Sequence, residues 1–318
     1  MARIDMTSGL LLIGEDEAGS RLDRALLRQL GPEQRTLIMR LIRKGNVRIN
    51  RKRAKPDDRL QSGDEVFLPA SLRQPAEPMA QTADIPVSLL KQVASLHVLF
   101  EDSHLLAVYK PAGMVVHGGS GYNAGLIEAL KVSRDLPDLR LAHRLDRDTS
   151  GVLLMAKTLP SLRELTESFR ERDMQKTYFA LVAGHPFAHA GRMQSKLSKG
   201  VVQGGERMVI DADEGKESVT DFQVSIQLAR EGFPYSLMAL NPHSGRTHQL
   251  RVQLAGEGHA ILGDGKYGEK ADNQAFKRIG GRGLALHAWR LRFVHPASGK
   301  PMELRAPLPQ DWFRVLAN

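Results

Sequence analysis

His143-Arg144-Leu145-Asp146-Arg147-Asp148-Thr149-Ser150-Gly151 runs directly into the apolar segment VLLMAK at 152–157 and follows the apolar Leu139 and Leu141. A polar loop charged with both signs, set between two short apolar runs, reads as the junction of two strands, and loops at strand ends are where chemistry usually sits. Outward from it the same texture repeats. HVLFED (97–102), LLAVYK (105–110), TYFALVAG (177–184), SVTDFQV (218–224), YSLMALNP (235–242) and LALHAWRLRFV (284–294) are all β-rich. The clearest helix spans 159–172, with Leu162, Leu165 and Phe169 on one face and Thr158 as its cap. Many strands, few helices and no regular βαβ alternation predict an α+β fold with a mixed, largely antiparallel sheet flanked by helices.

The residues alone leave the loop's chemistry open. Asp146 and Asp148 lie among Arg144 and Arg147, a setting that favours the carboxylate form a nucleophile or base needs. The same residues would serve equally as a salt-bridged turn in which Asp146 caps backbone amides. Other chemistries are easier to exclude. Gly118-Gly119-Ser120-Gly121 lacks the dinucleotide spacing and reads as a loop, and no phosphate-binding GxxxxGK[ST] occurs. His243 and His248 stand five apart without a third ligand, so no metal is expected. The absence of cysteine removes disulfides, thiolate metal sites and a thiol nucleophile, and fits a reducing cytosol. The only apolar run near the start is Leu10 to Ile13, too short for a signal peptide or a membrane span, so a cytoplasmic protein with no membrane partner is expected.

The chain's 318 residues suggest about two domains. Its charge is unevenly placed: 45 Lys and Arg against 36 Asp and Glu leave +9, while Arg35 to Arg59 alone holds ten basic and two acidic residues. Such concentration suits a polyanion, although a solvated basic face has the same composition. Around it, Ser20 and Asp23 read as a capping box for a helix carrying Leu22, Ala25, Leu26 and Leu30 up to Gly31-Pro32. A second helix with Leu37, Ile38, Leu41 and Ile42 inward ends at Gly45, and short alternating segments with Val47, Ile49, Val66 and Leu68 follow. The Pro-containing stretch 76–92 is expected to be an extended linker between domains at 1–75 and 93–318.

Two resemblances sharpen these readings. Helix–helix–hairpin with RLDRALLRQL, LIRKGNVRIN and LQSGDEV in order resembles the S4 RNA-binding domain over residues 14–70. It implies RNA rather than DNA as the polyanion, with Arg40, Arg43, Lys44, Arg48, Arg51, Lys52 and Arg53 as contacts. HRLDRDTSGVLLMAK, together with LLAVYKPAGMVVH (105–117), QKTYFALVAG (175–184), NPHSGRTHQLRVQL (241–254) and HAILGDGKYG (259–268), resembles the RluA-type pseudouridine synthases over residues 95–310.

That resemblance implies an isomerase that detaches uracil from ribose at N1 and rejoins it through C5, without a cofactor. It implies Asp146 as the catalytic carboxylate and Arg144 as the residue filling the space of a flipped-out uridine. Tyr178 would stack on the base, and Arg246 would pair with the catalytic carboxylate. Thr247 and His248 would shape the wall beside it, with Leu250 and Val252 in the core. The preceding S4-like domain points to 23S ribosomal RNA, free or pre-ribosomal, and a monomer is the default. Residues 185–217, with His185, Arg192, Lys196 and Lys199, are expected to form a mobile basic loop that closes on RNA. An assembly factor without activity would have lost Asp146, Tyr178 or Arg246, and all three are present. A methyltransferase or nuclease would need a Gly-rich strand turn or a metal-carboxylate cluster, and neither is found.

Overall fold

The computed structural model describes residues 4–5, 8–31, 34–72, 85–118, 124–171, 173–203, 206–211 and 215–317, and the chain divides into two compact units, Met1–Ala83 and Asp84–Asn318.

The first unit holds β1 (Ile4–Asp5), β2 (Leu10–Leu12), α1 (Leu22–Leu30), α2 (Arg35–Lys44), β3 (Arg48–Ile49), β4 (Lys52–Arg53) and β5 (Glu65–Phe67). The strands pair antiparallel in the order β1-β2-β5-β3-β4. Leu22, Ala25 and Leu26 of α1 meet Ile38, Leu41 and Ile42 of α2 over Val47, Leu60, Val66 and Leu68 in one buried cluster. Gly45 at φ 77° takes the left-handed conformation that ends α2, its N–H donating to Ile42 O and that of Asn46 to Leu41 O. The expected capping box does not form. The first amides of α1, Leu22 N and Asp23 N, donate instead to the carbonyls of Asp58 and Pro56, so a distant loop does the work of a side-chain cap. Asn50 and Arg51, at φ 47° and 66°, make the two-residue turn between β3 and β4. Arg40, Arg43, Lys44, Arg48, Arg51, Lys52 and Arg53 are all exposed.

The second unit contains α3 (Val87–Ala94), β6 (Val98–Glu101), β7 (Leu105–Lys110), α4 (Leu126–Ser133), β8 (Arg140–Leu141), β9 (Ser150–Ala156), α5 (Leu159–Glu171) and β10 (Gln175–Ala183). It continues with β11 (Ala190–Gln203), β12 (Glu206–Asp211), β13 (Lys216–Arg230), β14 (Phe233–Pro242), α6 (Gln249–Gly256), α7 (Lys270–Arg278), β15 (Leu286–Val294), β16 (Pro301–Arg305) and α8 (Gln310–Leu316). One sheet runs β12-β11-β13-β14-β10-β15-β9-β7-β6, with β16 added to β15 and β8 to β9. Among these pairings only β9 with β15 is parallel, which makes the sheet mixed and largely antiparallel in an α+β fold. β9 is buried along its whole length, so the loop that precedes it hangs from a strand packed on both faces.

Two expectations change here. Residues 73–84 lie outside the described residues, but the rest of the expected 76–92 linker is not extended. Pro86 begins α3, whose Val93, Leu89 and Leu90 pack into the same apolar cluster as α4, so the second unit already includes Ile85. Pro is favoured at a helix start, where its missing N–H costs nothing, and this is why the Pro signal misled. The expected mobile loop at 185–217 is strand instead: β11 pairs β12 from Leu197↔Asp211 to Gln203↔Glu206 and pairs β13 from Ala190↔Gln223 to Leu197↔Lys216. Arg192 on it is tied to Asp221, and His185 Nε2 bonds Leu228 O at 2.8 Å. Positions 204–205 and 212–214 lie outside the described residues.

Candidate active site

The loop 143–149 is fixed from three sides. At its end, Gly151 (φ 121°) lets β9 lie against β15; a Cβ there would sit 2.2 Å from Ala288 O. Behind it, the fully buried Lys110 donates from Nζ to Arg147 O at 2.8 Å and to Pro111 O at 2.9 Å. Burial pushes this ammonium down to about pKa 7, against the pull of Asp148 and Asp146. At its start, His143 Nε2 accepts the Leu154 amide at 3.0 Å while its ring packs on Phe169 at 5.0 Å between centroids. Burial lowers the His143 pKa to about 4, helped by the charge of Lys176, so the ring is neutral at pH 7 with its proton on Nδ1.

Asp146, suspended between these anchors, is half-buried, with 24% of its side chain exposed. Its Oδ2 lies 3.7 Å from Arg251 Nη1 and 3.8 Å from His248 Nε2. Arg251, on α6, is clamped from the other side: Nε and Nη2 donate to the two oxygens of Asp264 at 2.7 and 2.8 Å. Burial alone would raise the pKa of Asp264, but the Arg251 bonds and charge and the amides of Lys266 and Tyr267 hold it below the usual carboxylate range. The Tyr267 ring lies under the guanidinium at 5.1 Å, and its hydroxyl meets His248 Nδ1 at 2.8 Å. Gln249 braces the turn before α6, accepting Ser244 Oγ and Arg246 N and donating to Val219 O and Thr220 Oγ1.

Together these walls enclose a pocket of about 90 Å³ lined by Arg144, Asp146, Tyr178, Arg246, His248, Arg251 and Leu286 among others. Tyr178 stands on β10, registered against Leu240 of β14 and Ala288 of β15. Burial and the charge of Asp146 raise its phenol well above the ordinary value, so it presents a neutral ring. The expected residues are therefore gathered, with two exceptions. Thr247 is exposed and does not line the pocket. Arg246 is exposed at the rim, and the cation beside Asp146 is Arg251. Sequence reading passed over Arg251, Asp264, Tyr267 and Lys110. A signal was available for the first pair: an arginine inside the apolar run LRVQL must enter the core with its helix, and a buried guanidinium needs a buried carboxylate.

Comparison with known proteins identifies the family. Residues 104–256 match the family model of RNA pseudouridylate synthase, and residues 20–66 match that of the S4 domain. The chain is 42% identical over 312 residues, 96% of its length and 95% of the relative's, to the ribosomal large subunit pseudouridine synthase C of Salmonella typhi. The chain belongs to the RNA pseudouridylate synthase family. The synthase of the same name from Escherichia coli (strain K12) is 41% identical over 312 residues, again 96% of this chain and 95% of that protein. Among solved structures, Human RNA Pseudouridylate Synthase Domain Containing 1 superposes with a TM-score of 0.58 at 28% identity, covering 68% of this chain and 85% of that one. The synthase match spans Asp146, Tyr178, His248 and Arg251, which carry the pocket, and ends before Asp264 and Tyr267.

Proposed function

We propose that the protein isomerises uridines to pseudouridine in large-subunit ribosomal RNA, with Asp146 as the catalytic carboxylate. One observation carries this reading: a carboxylate half-buried in a base-sized pocket, faced by an arginine that a buried aspartate already holds in place. A uridine in folded RNA must leave its stack to reach such a pocket, at a cost of a few kcal/mol. Arg144, exposed at the mouth, fills the space it leaves, and the neutral Tyr178 ring stacks on the uracil while still allowing it to turn. Arg246 at the rim takes phosphate.

Arg251 and His248 converge on Oδ2, which leaves Oδ1 as the oxygen directed to the ribose. The N1–C1′ bond breaks, the turned uracil forms C1′–C5, C5 gives up its proton and N1 gains one, so atoms balance without redox chemistry. The exposed basic surface of the first unit docks the RNA, and the reading is completed by free or pre-ribosomal RNA as substrate and a monomeric cytoplasmic enzyme. No described helix is long and apolar enough to cross a membrane. The names of the relatives support large-subunit RNA as the class.

Incubation of protein-free 23S transcript with the chain, followed by carbodiimide labelling and primer extension, is expected to reveal new stops at discrete uridines. A transcript without new stops, alongside stops in another RNA, would transfer the activity to that RNA. No stops in any RNA would overturn the reading.

A further inference from the structure

Tyr267 touches neither Asp146 nor the pocket directly, yet its hydroxyl occupies a decisive place. Oη lies 3.0 Å from the backbone N of Val209 on β12 and 2.8 Å from Nδ1 of His248. An amide can only donate, so Oη accepts from Val209 with one lone pair; directed at His248 Nδ1, its single proton makes the second bond, whereas an Nδ1–H given to the other lone pair would leave that proton out of the contact. A ring nitrogen that receives a proton must itself be bare. In that arrangement the imidazole carries its hydrogen on Nε2, the nitrogen 3.8 Å from Asp146 Oδ2.

The alternative tautomer would turn a lone pair toward the carboxylate and push Oδ2 away, whereas the N–H attracts it. Asp146 from the loop before β9, Arg251 from α6, and Asp264 and Lys266 beyond it all face the ring, and burial keeps its pKa below the ordinary range, so at pH 7 it is neutral. With the ring neutral, tautomer rather than charge decides the contact.

We propose that Tyr267 is a positioning residue for the reaction: by donating to Nδ1 it locks His248 as the Nε2–H tautomer and so aims a neutral donor at Asp146. The inference rests on the assignment of Asp146 as the catalytic carboxylate, but its first test needs neither RNA nor turnover. Long-range proton–nitrogen spectra of the ¹⁵N-histidine-labelled protein at pH 7, with the His248 signals assigned by their loss in His248→Gln, should show Nε2 protonated and Nδ1 bare. A proton on Nδ1, or on both nitrogens, would overturn the proposal whatever the enzyme's substrate.

Kinetics supply the second test. Tyr267→Phe keeps the ring under Arg251 and removes only the hydroxyl. It should lower kcat for pseudouridine formation about tenfold, leave KM for RNA unchanged, and give mixed His248 tautomers. A purely structural tyrosine would lower the melting temperature without moving the tautomer, and that result would contradict the proposal. In His248→Gln, whose amide donates without a choice of tautomer, adding Tyr267→Phe should cost no further kcat. A second tenfold loss in that background would also contradict it.

Discussion

Arg251 reaches Asp146 with the one guanidinium nitrogen that Asp264 leaves over. Nε and Nη2 are bound by the buried Asp264 at 2.7 and 2.8 Å, and Nη1 stands 3.7 Å from Asp146. The arrangement places a cation opposite the carboxylate proposed to react without asking the substrate to orient it, which is preorganisation in its simplest form.

Asp264→Ala should therefore damage both stability and rate. It leaves the buried Arg251 without its partner, a change that costs about 3–5 kcal/mol in comparable buried pairs. Thermal melts should show a large drop, and kcat measured below the new melting point should fall as well. An unchanged melting temperature would mean that the clamp is not what holds Arg251.

Arg246 and Arg251 separate cleanly by kinetics. Arg251→Lys keeps the charge but cannot hold both Asp264 oxygens and face Asp146, so kcat should fall at least tenfold with little change in KM. Arg246→Ala removes an exposed rim cation and should raise KM while largely sparing kcat. The reverse pattern would restore the pairing of Arg246 with the carboxylate that the motif resemblance implied.

Lys110 predicts a pH dependence of stability. Folded, its ammonium loses its proton at about pH 7; unfolded, it keeps it up to the ordinary value of 10.5. Between those values the unfolded chain binds the extra proton, so stability rises with pH across this window, and the full penalty of burying the charge applies below it. Melting temperatures taken from about pH 6 to about pH 10 should climb, and Lys110→Met should flatten the climb. Met also removes the Lys110 bonds to the Arg147 and Pro111 carbonyls, leaving the Gly113 amide on Arg147 O, so kcat should fall as the Asp146 loop loosens.

Docking through the first unit is tested by salt. Replacing Arg43, Lys44 and Arg51 with Ala should weaken RNA binding and reduce the dependence of log K on log salt by roughly 0.7–0.9 for each phosphate that the protein no longer neutralises. Arg53 is left out of the set because its guanidinium donates to Arg43 O at 2.6 Å and helps close α2. An unchanged slope would put the docking surface elsewhere.

Much of this was legible in the sequence because local signals and tertiary structure agreed. The polar loop between Leu141 and Val152, the helix at Leu159–Glu171 with Thr158 at its start, and the stop of α2 at Gly45 follow from periodicity and short-range backbone rules. What escaped depends on contacts between distant segments. The amides of α1 are satisfied by carbonyls some 35 residues on, which no capping pattern records. The Gly-containing basic stretch after β10 forms strands because β13 offers it an edge to pair with. Arg251 was hidden behind Arg246, although the apolar run LRVQL around it marks it as the buried one of the two. The carboxylate that decides the matter, Asp264, lies beyond the helix in a separate turn.

The central claim is that Asp146 performs the chemistry on uridine, and the most direct measurement is release of tritium from C5-labelled uridine in protein-free 23S RNA, comparing the wild-type chain with Asp146→Ala. The account predicts release by the wild type and none by the variant, with both binding the RNA equally well. Release by the variant at a rate near that of the wild type would contradict it.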